Sequence, residues 1–270
     1  MVTLVCFHAH PDDEAISTGG SIARAAAEGH RVILVVATHG EWGETPEDLG
    51  PGETLVDRRR AETVQSAAVL GIHRVVWLGY EDSGMTGWEQ NANPASFLRA
   101  PVEEAAGRLA DVLREEDADV LTVYDWHGNY GHPDHVKVHV VGHLAAELAG
   151  TPRVVEATMN RDEIRRFVDS ARQAGMETSP GEEGDFDVDG PMDDGNPMGM
   201  AEAEITLAVD VSPYVFLKRD AVKAHRSQVT DTSFFAEMPD ELFSRSFGTE
   251  WFIEKGVTPN GGPRRGWLFE

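Results

Sequence analysis

The chain has 270 residues, of which 41% are apolar, so it is long enough to form one large domain or two small ones. Its 47 Asp and Glu residues against 23 Lys and Arg residues give a formal net charge of −24, which argues against a nucleic-acid partner. Neither a signal-peptide pattern nor an apolar run of about 18 residues is found, so we expect a cytoplasmic protein without a membrane partner.

Short apolar runs alternate with longer amphipathic segments in the first part of the chain. Cys6, the single cysteine, lies in the first apolar run and is expected to be a core residue. The predicted strands span residues 4–7, 32–37, 74–78, 120–124 and 154–158, and the predicted helices span residues 16–28, 54–70, 102–115 and 133–148. Alternating helices and continuously apolar strands predict an α/β fold, with a mostly parallel sheet and helices on both faces.

The sequence changes character in its last third. Residues from about 175 to 200 are rich in Gly, Pro, Asp and Glu, which predicts a loop or an active-site lid. A strand over 205–209, a helix over 214–225 and a last strand around 251–253 are predicted to follow. Neither a repeat nor a linker divides the chain, so we expect residues 1–270 to form a single domain.

Polar residues are concentrated just after the predicted strands. The four clusters are HAHPDDE at 8–14, THGEWGE at 38–44, YEDSGM at 80–85 and YDWHGNYGHPDH at 124–135. Parallel strands bring their C-terminal ends to the same edge of a sheet, where ligands bind in such folds. We therefore expect the active site at this edge.

Two of these clusters contain a His-Pro-Asp sequence suited to metal binding. A catalytic zinc site typically has three protein ligands, drawn from imidazoles and carboxylates, and one open position. His10 and Asp13 lie three residues apart across a turn, so both can face one pocket. Candidates for the third ligand follow the fourth strand. They are His127, His132, Asp134 and His135, with His139 as a rival one helical turn further on.

The sequence resembles the LmbE/PIG-L-like family of zinc-dependent N-deacetylases. The signature motifs are AHPDDE at 9–14 and GHPDH at 131–135, and weaker landmarks are THGEWG at 38–43, RRAE at 59–62, DSGM at 82–85 and KAHRSQ at 223–228. The resemblance is nearest to the mycothiol branch, which contains a deacetylase and an S-conjugate amidase. It implies a Rossmann-like fold and hydrolysis of an N-acyl group, expected to be acetyl, from a small aminosugar or aminosugar conjugate.

The same resemblance assigns roles to individual residues. It implies that zinc is held by His10, Asp13 and His135. It implies that Asp12 is the general base, that His132 stabilises the tetrahedral intermediate, and that Asp134 orients a histidine. We expect His132 to act as an imidazolium, with Asp134 raising its pKa.

Substrate contacts follow from the weaker landmarks. Tyr130 corresponds to a position near the substrate carbonyl, and Asp82 to a position that grips the sugar. Among Arg58, Arg59 and Arg60, the R-x-x-E spacing with Glu62 favours Arg59 as a second sugar contact.

Other readings stay open at the level of sequence. An S-conjugate-type amidase is the nearest alternative. Two His and one carboxylate also form the iron site of non-haem oxygenases, and iron(II) is an alternative metal for the hydrolase itself. A sugar-binding protein without turnover is the third reading, although the proposed base, ligands and oxyanion donor are all present.

Overall fold

The computed structural model describes residues 1–173, 187–228, 235, 237–259 and 261–270. Within these residues, seven strands form one sheet in the order β3-β2-β1-β4-β5-β7-β6. The strands are β1 Thr3–His8, β2 Arg31–Thr38, β3 Arg74–Tyr80, β4 Val120–Tyr124, β5 Arg153–Thr158, β6 Leu207–Asp210 and β7 Thr249–Glu254. Strands β1 to β5 pair in parallel, whereas β7 runs antiparallel to β5 and to β6.

Helices cover both faces of this sheet. They are α1 Asp13–Ala27, α2 Leu55–Leu70, α3 Val102–Glu115, α4 Gly128–Gly131, α5 Pro133–Ala149, α6 Arg161–Gln173, α7 Val215–Ala224 and α8 Asp240–Phe247. Successive strand residues point to opposite faces, so Val5 and Phe7 pack under α3 and α5, while Leu4 and Cys6 pack under α1 and α7. The predicted Rossmann-like α/β fold and the buried position of Cys6 are confirmed.

Local sequence signals explain where the helices begin and end. Thr54 precedes α2, and its hydroxyl accepts a hydrogen bond from the Asp57 backbone while Asp57 bonds back to Thr54. Gly71 and Gly150 follow α2 and α5 with φ of 75° at both positions, a conformation that glycine adopts without strain. Both ends therefore lie where the sequence predicts them, within a residue or two.

The order of the strands reverses between β1 and β4. The chain moves outward from β1 through β2 to β3, and then crosses back to place β4 on the other side of β1. The loops after β1 and β4 therefore separate to opposite faces and leave a crevice between them. The two His-Pro-Asp motifs follow these two strands, which places both at the crevice.

Three of the described helices, α4, α6 and α8, were not predicted from the sequence. Helix α1 also begins at Asp13, three residues before the predicted start, and α6 and α8 fall in segments to which no structure was assigned. Of the predicted loop or lid at 175–200, residues 175–186 lie outside the described part of the chain. Residues 187–199 are irregular, and the Gly199 N–H donates to the Asn129 carbonyl at 2.7 Å.

Within the described segments, no helix has both the length and the apolar character that crossing a bilayer requires.

Candidate active site

The loop after β1 turns sharply at Asp12. This residue has φ of 92°, which is strained for any residue other than glycine, and it immediately precedes α1. The His10 N–H donates to Asp13 Oδ2 at 2.8 Å, and the Asp12 N–H donates to Glu14 Oε2 at 3.1 Å. These bonds hold the turn, so that His10, Asp12 and Asp13 all line one cavity.

The loop after β4 is shaped by a glycine-rich turn. Gly128 and Gly131 have φ of 69° and 89°, and a Cβ on Gly128 would lie 2.5 Å from the Cβ of His135. The Gly128 carbonyl accepts a hydrogen bond from Nδ1–H of His135 at 3.3 Å. The Tyr124 ring stacks on His135 with ring centroids 4.2 Å apart. Turn and ring together fix the orientation of the His135 imidazole.

The geometry around His135 fits a bound cation. Because Nδ1 donates to a carbonyl, Nε2 carries the lone pair. Nε2 is buried, makes no hydrogen bond with any described residue, and lies 3.4 Å from Asp13 Oδ1. The other oxygen of Asp13 lies 3.4 Å from His10 Nδ1. A lone pair facing a carboxylate is stabilised by a cation between them, so His10, Asp13 and His135 together can hold a divalent transition metal.

A second ligand combination shares two of these histidines. One nitrogen each of His10, His132 and His135 lies within 4.8 Å of the other two. The Nδ1 atom of His132 accepts the Asp134 N–H at 3.1 Å, which leaves only its Nε2 atom for another partner. Because the lone pair of the neutral ring is then on Nδ1, Nε2 carries the proton, and the geometry favours His132 as a donor beside the metal.

The predicted imidazolium at position 132 is wrong. Burial and the neighbouring His10 and His135 lower the pKa of His132 to about 2. A nitrogen that accepts a backbone N–H also carries no proton. His132 is therefore a neutral imidazole with its proton on Nε2, and any stabilisation of an oxyanion comes from that neutral N–H.

Asp134 lies beneath the cavity rather than in it. Its carboxylate is fully buried, accepts hydrogen bonds from the Ser83 N–H and hydroxyl, and lies 3.3 Å from His10 Nε2. Asp134 thus contacts a histidine through its side chain, but that histidine is His10. Burial disfavours the charged form of His10, yet Asp82, Asp13 and Asp134 outweigh it, and the pKa of His10 is raised well above its usual value. Binding a metal at His10 must therefore release a proton.

Asp12 is held at the cavity wall by an arginine. Nη2 of Arg59 donates to Asp12 Oδ2 at 3.0 Å and to the Pro11 carbonyl at 2.6 Å, and Nη1 donates to the Gly40 carbonyl at 2.8 Å. Burial raises the pKa of Asp12 to about 7, although Arg59 opposes the shift. A carboxyl with a pKa near neutrality, facing a cavity, has the properties of a general acid–base group.

Arg59 was predicted as a sugar contact, and that role stays a prediction. Arg59 lines the cavity, but the residue is only 4% exposed and its guanidinium is already bonded to three acceptors.

A buried polar network behind Asp12 was missed by the sequence reasoning. The Glu14 carboxylate accepts from the Ser66 hydroxyl and lies 2.8 Å from His225 Nε2. The Ser227 N–H and hydroxyl donate to Glu62 at 2.8 Å and 2.6 Å. The KAHRSQ segment thus closes the back of the site, and only its resemblance to the family's late landmark pointed to it.

Two cavities meet at the candidate metal site. The smaller one, here the polar cavity, has a volume of about 310 Å³ and is lined by His10, Asp12, Asp13, Trp42, Gly43, Glu44, Arg59, Asp82, Gly84, Met85, Trp88, Tyr130, His132 and Gln228. The larger cavity has a volume of about 550 Å³, and its apolar wall includes Ile16, Met159, Ile164, Phe247 and Trp251. Asp12, Asp13, Met85 and Tyr130 line both, so the junction of the cavities lies at these residues.

The predicted site residues thus converge. Seven of the nine line the polar cavity, His135 lines the larger one, and Asp134 supports the site from below. The rival ligand His139 instead donates from Nδ1 to the Tyr124 carbonyl at 3.0 Å and lies beside His143 and Glu156.

The chain is similar to known proteins over most of its length. Residues 5–146 match the family described as PIG-L, GlcNAc-PI de-N-acetylase. A 1D-myo-inositol 2-acetamido-2-deoxy-alpha-D-glucopyranoside deacetylase of Thermobispora bispora is 36% identical over 95% of this chain and 88% of its own length. The protein of the same name from Streptomyces griseus is 39% identical over 94% of this chain and 84% of its own length.

The fold is shared with a solved structure as well. The N,N'-diacetylchitobiose deacetylase from Pyrococcus horikoshii aligns with a TM-score of 0.56 at 24% identity, covering 96% of this chain and 87% of its own. From the family match and the two relatives, the chain belongs to the PIG-L family.

Proposed function

We propose that this chain is a zinc-dependent N-deacetylase that removes the acetyl group from an aminosugar joined to a polyol such as inositol. The observation that carries the proposal is the pairing of two features in one cavity. His135 Nε2 faces Asp13 with no hydrogen bond from the described residues, and Asp12 stands beside them on a separate support. The relatives named as deacetylases supply the substrate class.

His10, Asp13 and His135 would hold the zinc. When bound, zinc polarises an amide carbonyl and lowers the pKa of a water molecule to roughly 7. Asp12 accepts a proton from the attacking water, whose oxygen forms the new bond to the carbonyl carbon. Asp12 then donates that proton to the nitrogen as the C–N bond breaks, which leaves the free amine and acetic acid. The acid keeps the second proton of the water until it ionises to acetate in solvent.

Two further side chains act on the carbonyl oxygen. Nε2–H of neutral His132 is the proposed donor to the developing oxyanion. Tyr130 lies at the junction of the cavities with its ring centroid 5.1 Å from that of His135, and we propose that it positions the carbonyl from the other side.

The polar cavity suits the sugar. Asp82 and Gln228 supply polar groups, and the half-exposed rings of Trp42 and Trp88 supply flat apolar walls. The Asp82 carboxylate already accepts the Gly84 N–H at 2.8 Å, which fixes its orientation toward the cavity. Asp82 is therefore proposed as a sugar contact, and Arg59 as the residue that holds Asp12.

The larger cavity favours a second candidate function. With the sugar in the polar cavity and the scissile bond at the junction, the acyl group points toward the larger cavity. A volume of about 550 Å³ exceeds what an acetyl group needs and falls in the range typical of whole small-molecule sites. An amidase that releases a bulky acyl group, such as that of a mycothiol S-conjugate, would use this space.

Product release from a panel of N-acyl aminosugars tests both candidates. We expect amine release from N-acetylglucosaminyl-inositol that is abolished by a chelator, restored by zinc and independent of oxygen. Substrates that carry N-acyl groups of increasing length on the same sugar then test whether the larger cavity accepts the acyl group. A kcat/KM that falls steeply beyond acetyl excludes the amidase, and one that rises with acyl size favours it.

The absence of hydrolysis across the panel by the metal-loaded protein would overturn the proposed function. Oxygen-dependent turnover with iron(II) would instead support the oxygenase reading. Sugar binding without turnover would support a binding protein. The predicted cytoplasmic location and the single-domain organisation stay predictions.

A further inference from the structure

A second group of metal-binding side chains lies outside the active site. His139 and His143 are one turn apart on α5, and Glu156 faces them from β5. One nitrogen of each histidine and one Glu156 oxygen lie within 4.8 Å of one another. Nε2 of His143 is 2.8 Å from Glu156 Oε1, and the two imidazole centroids are 4.4 Å apart.

The protonation of His139 suits a ligand. Its Nδ1–H donates to the Tyr124 carbonyl at 3.0 Å, so Nε2 carries a lone pair. A bond from one ring nitrogen to a carbonyl is the usual support of a metal-binding imidazole. Nδ1 is also the His139 nitrogen nearest to Glu156, 3.9 Å from its Oε1, so binding a shared ion through Nε2 requires a shift of the His139 ring. Burial also lowers the pKa of His139, which keeps the ring in the neutral form that binds metals.

The group is reachable from solvent. The side chains of His139, His143 and Glu156 are 20%, 16% and 13% exposed. An ion can therefore enter without opening the core, and positions in its shell remain for water. Two histidines at i and i+4 with one carboxylate also form the donor set of known three-ligand zinc sites.

We propose that His139, His143 and Glu156 form a second site for a divalent transition metal, separate from the catalytic one. The ion takes the place of the direct contact between His143 Nε2 and Glu156 Oε1, and it joins α5 to β5. This site shares no ligand with the group formed by His10, Asp13 and His135.

The two sites are nevertheless linked through Tyr124. The Tyr124 carbonyl accepts from His139, and its ring stacks on His135. An ion at the second site therefore fixes the same segment of backbone that carries the support of a catalytic ligand.

Stoichiometry measured with Co²⁺ tests the proposal. The metal-free full-length protein is titrated with Co²⁺ while visible absorption is followed, and bound metal is counted after desalting. We expect two equivalents in the unmodified chain and one in His143→Ala. Glu156→Gln keeps the side-chain size and is expected to bind its second equivalent at least tenfold more weakly. His135→Ala should lose the other equivalent and keep this one.

The exposed His73, on the opposite edge of the sheet, provides the control. His73→Gln should retain two equivalents. Circular dichroism checks that each variant is folded, and Glu156→Gln replaces His143→Ala if the latter is not. One equivalent in the unmodified chain, or two tight equivalents in a folded His143→Ala or Glu156→Gln, would overturn the proposal.

Discussion

The His-Pro-Asp sequence occurs twice in this chain, and the two copies lie face to face across the crevice. Residues 10–12 precede their helix, which begins only at Asp13. Residues 132–134 overlap theirs, because α5 begins at Pro133 and His132 caps it. Counted from the first residue of the helix that follows, the first copy therefore lies two positions earlier than the second.

This shift changes what each side chain can do. In the first copy the aspartate, Asp12, sits at the turn and faces the cavity, while His10 lies among carboxylates. In the second copy the aspartate, Asp134, is inside the first helical turn and fully buried, and the histidine ring caps the helix. Equal residues at equal spacing therefore do not imply equal roles, because the phase of the helix decides which groups reach the substrate.

Among the variants of the two copies, Asp12→Ala should cause the largest loss of turnover. Without the proposed base, turnover should fall by roughly 10²–10⁴, while metal content stays near one at the catalytic site. Steady-state kinetics and metal analysis on the same preparation measure both quantities. If metal content instead fell in proportion to activity, Asp12 would be a metal ligand. The two aspartates would then not differ in the way proposed, with one as base and the other as support.

His132→Ala should have the next largest effect. Loss of the proposed oxyanion donor should lower kcat by roughly 10²–10³ and leave the metal bound. Because the pKa of His132 lies at about 2, the ring stays neutral at working pH, and a nearby cation lowers that pKa further.

The pH–rate profile of the same variant therefore sharpens the comparison. We expect His132→Ala to keep the shape of the unmodified profile, at a lower rate. If the unmodified protein loses rate at high pH and His132→Ala does not, then His132 is the group that titrates there. That result would support the imidazolium predicted from the sequence. A metal-free variant would instead place His132 among the ligands, alongside His10 and His135.

Asp134→Asn should act on metal affinity rather than on proton transfer. The amide keeps the size of the side chain but removes the charge beside His10, so affinity should fall roughly 10–100-fold. Competition with a chromophoric chelator gives the dissociation constant. Asp12→Asn is the matched control in the other copy and should leave that constant unchanged. Equal losses in the two variants would mean that both aspartates support the ligands.

Arg59→Lys should give the smallest effect. A lysine keeps the charge beside Asp12 but cannot bond to the Pro11 and Gly40 carbonyls together, so kcat should fall about tenfold, with KM unchanged. A rise in KM at constant kcat would instead make Arg59 the sugar contact that the R-x-x-E spacing suggested.

Features that depend on local sequence were predictable. Strand β4 and helices α2, α3 and α5 follow from apolar periodicity, capping residues and glycine stops, and their ends differ from prediction by no more than a residue. The convergence of the four strand-end clusters followed from the parallel sheet alone.

Features that depend on packing between distant segments were not predictable. The stacking of Tyr124 on His135, the bonds from Ser83 to Asp134 and the contact of His225 with Glu14 need the folded chain. The neutral state of His132 depends on burial and on which nitrogen caps α5, neither of which residue spacing reveals.

The support behind Asp12 has a consequence for how the protein is made. His225 meets Glu14 from 211 residues away, and the Glu250 carboxylate accepts the Gly20 N–H from 230 residues away. A ribosome releases the motif at residues 9–14 early, but the groups that pair with Glu14 and with the Gly20 N–H emerge only after more than 200 further residues. Until then the nascent chain carries a carboxylate that cannot be buried without its partners, which keeps the crevice open. We therefore expect the site to mature only when α7 and β7 have docked.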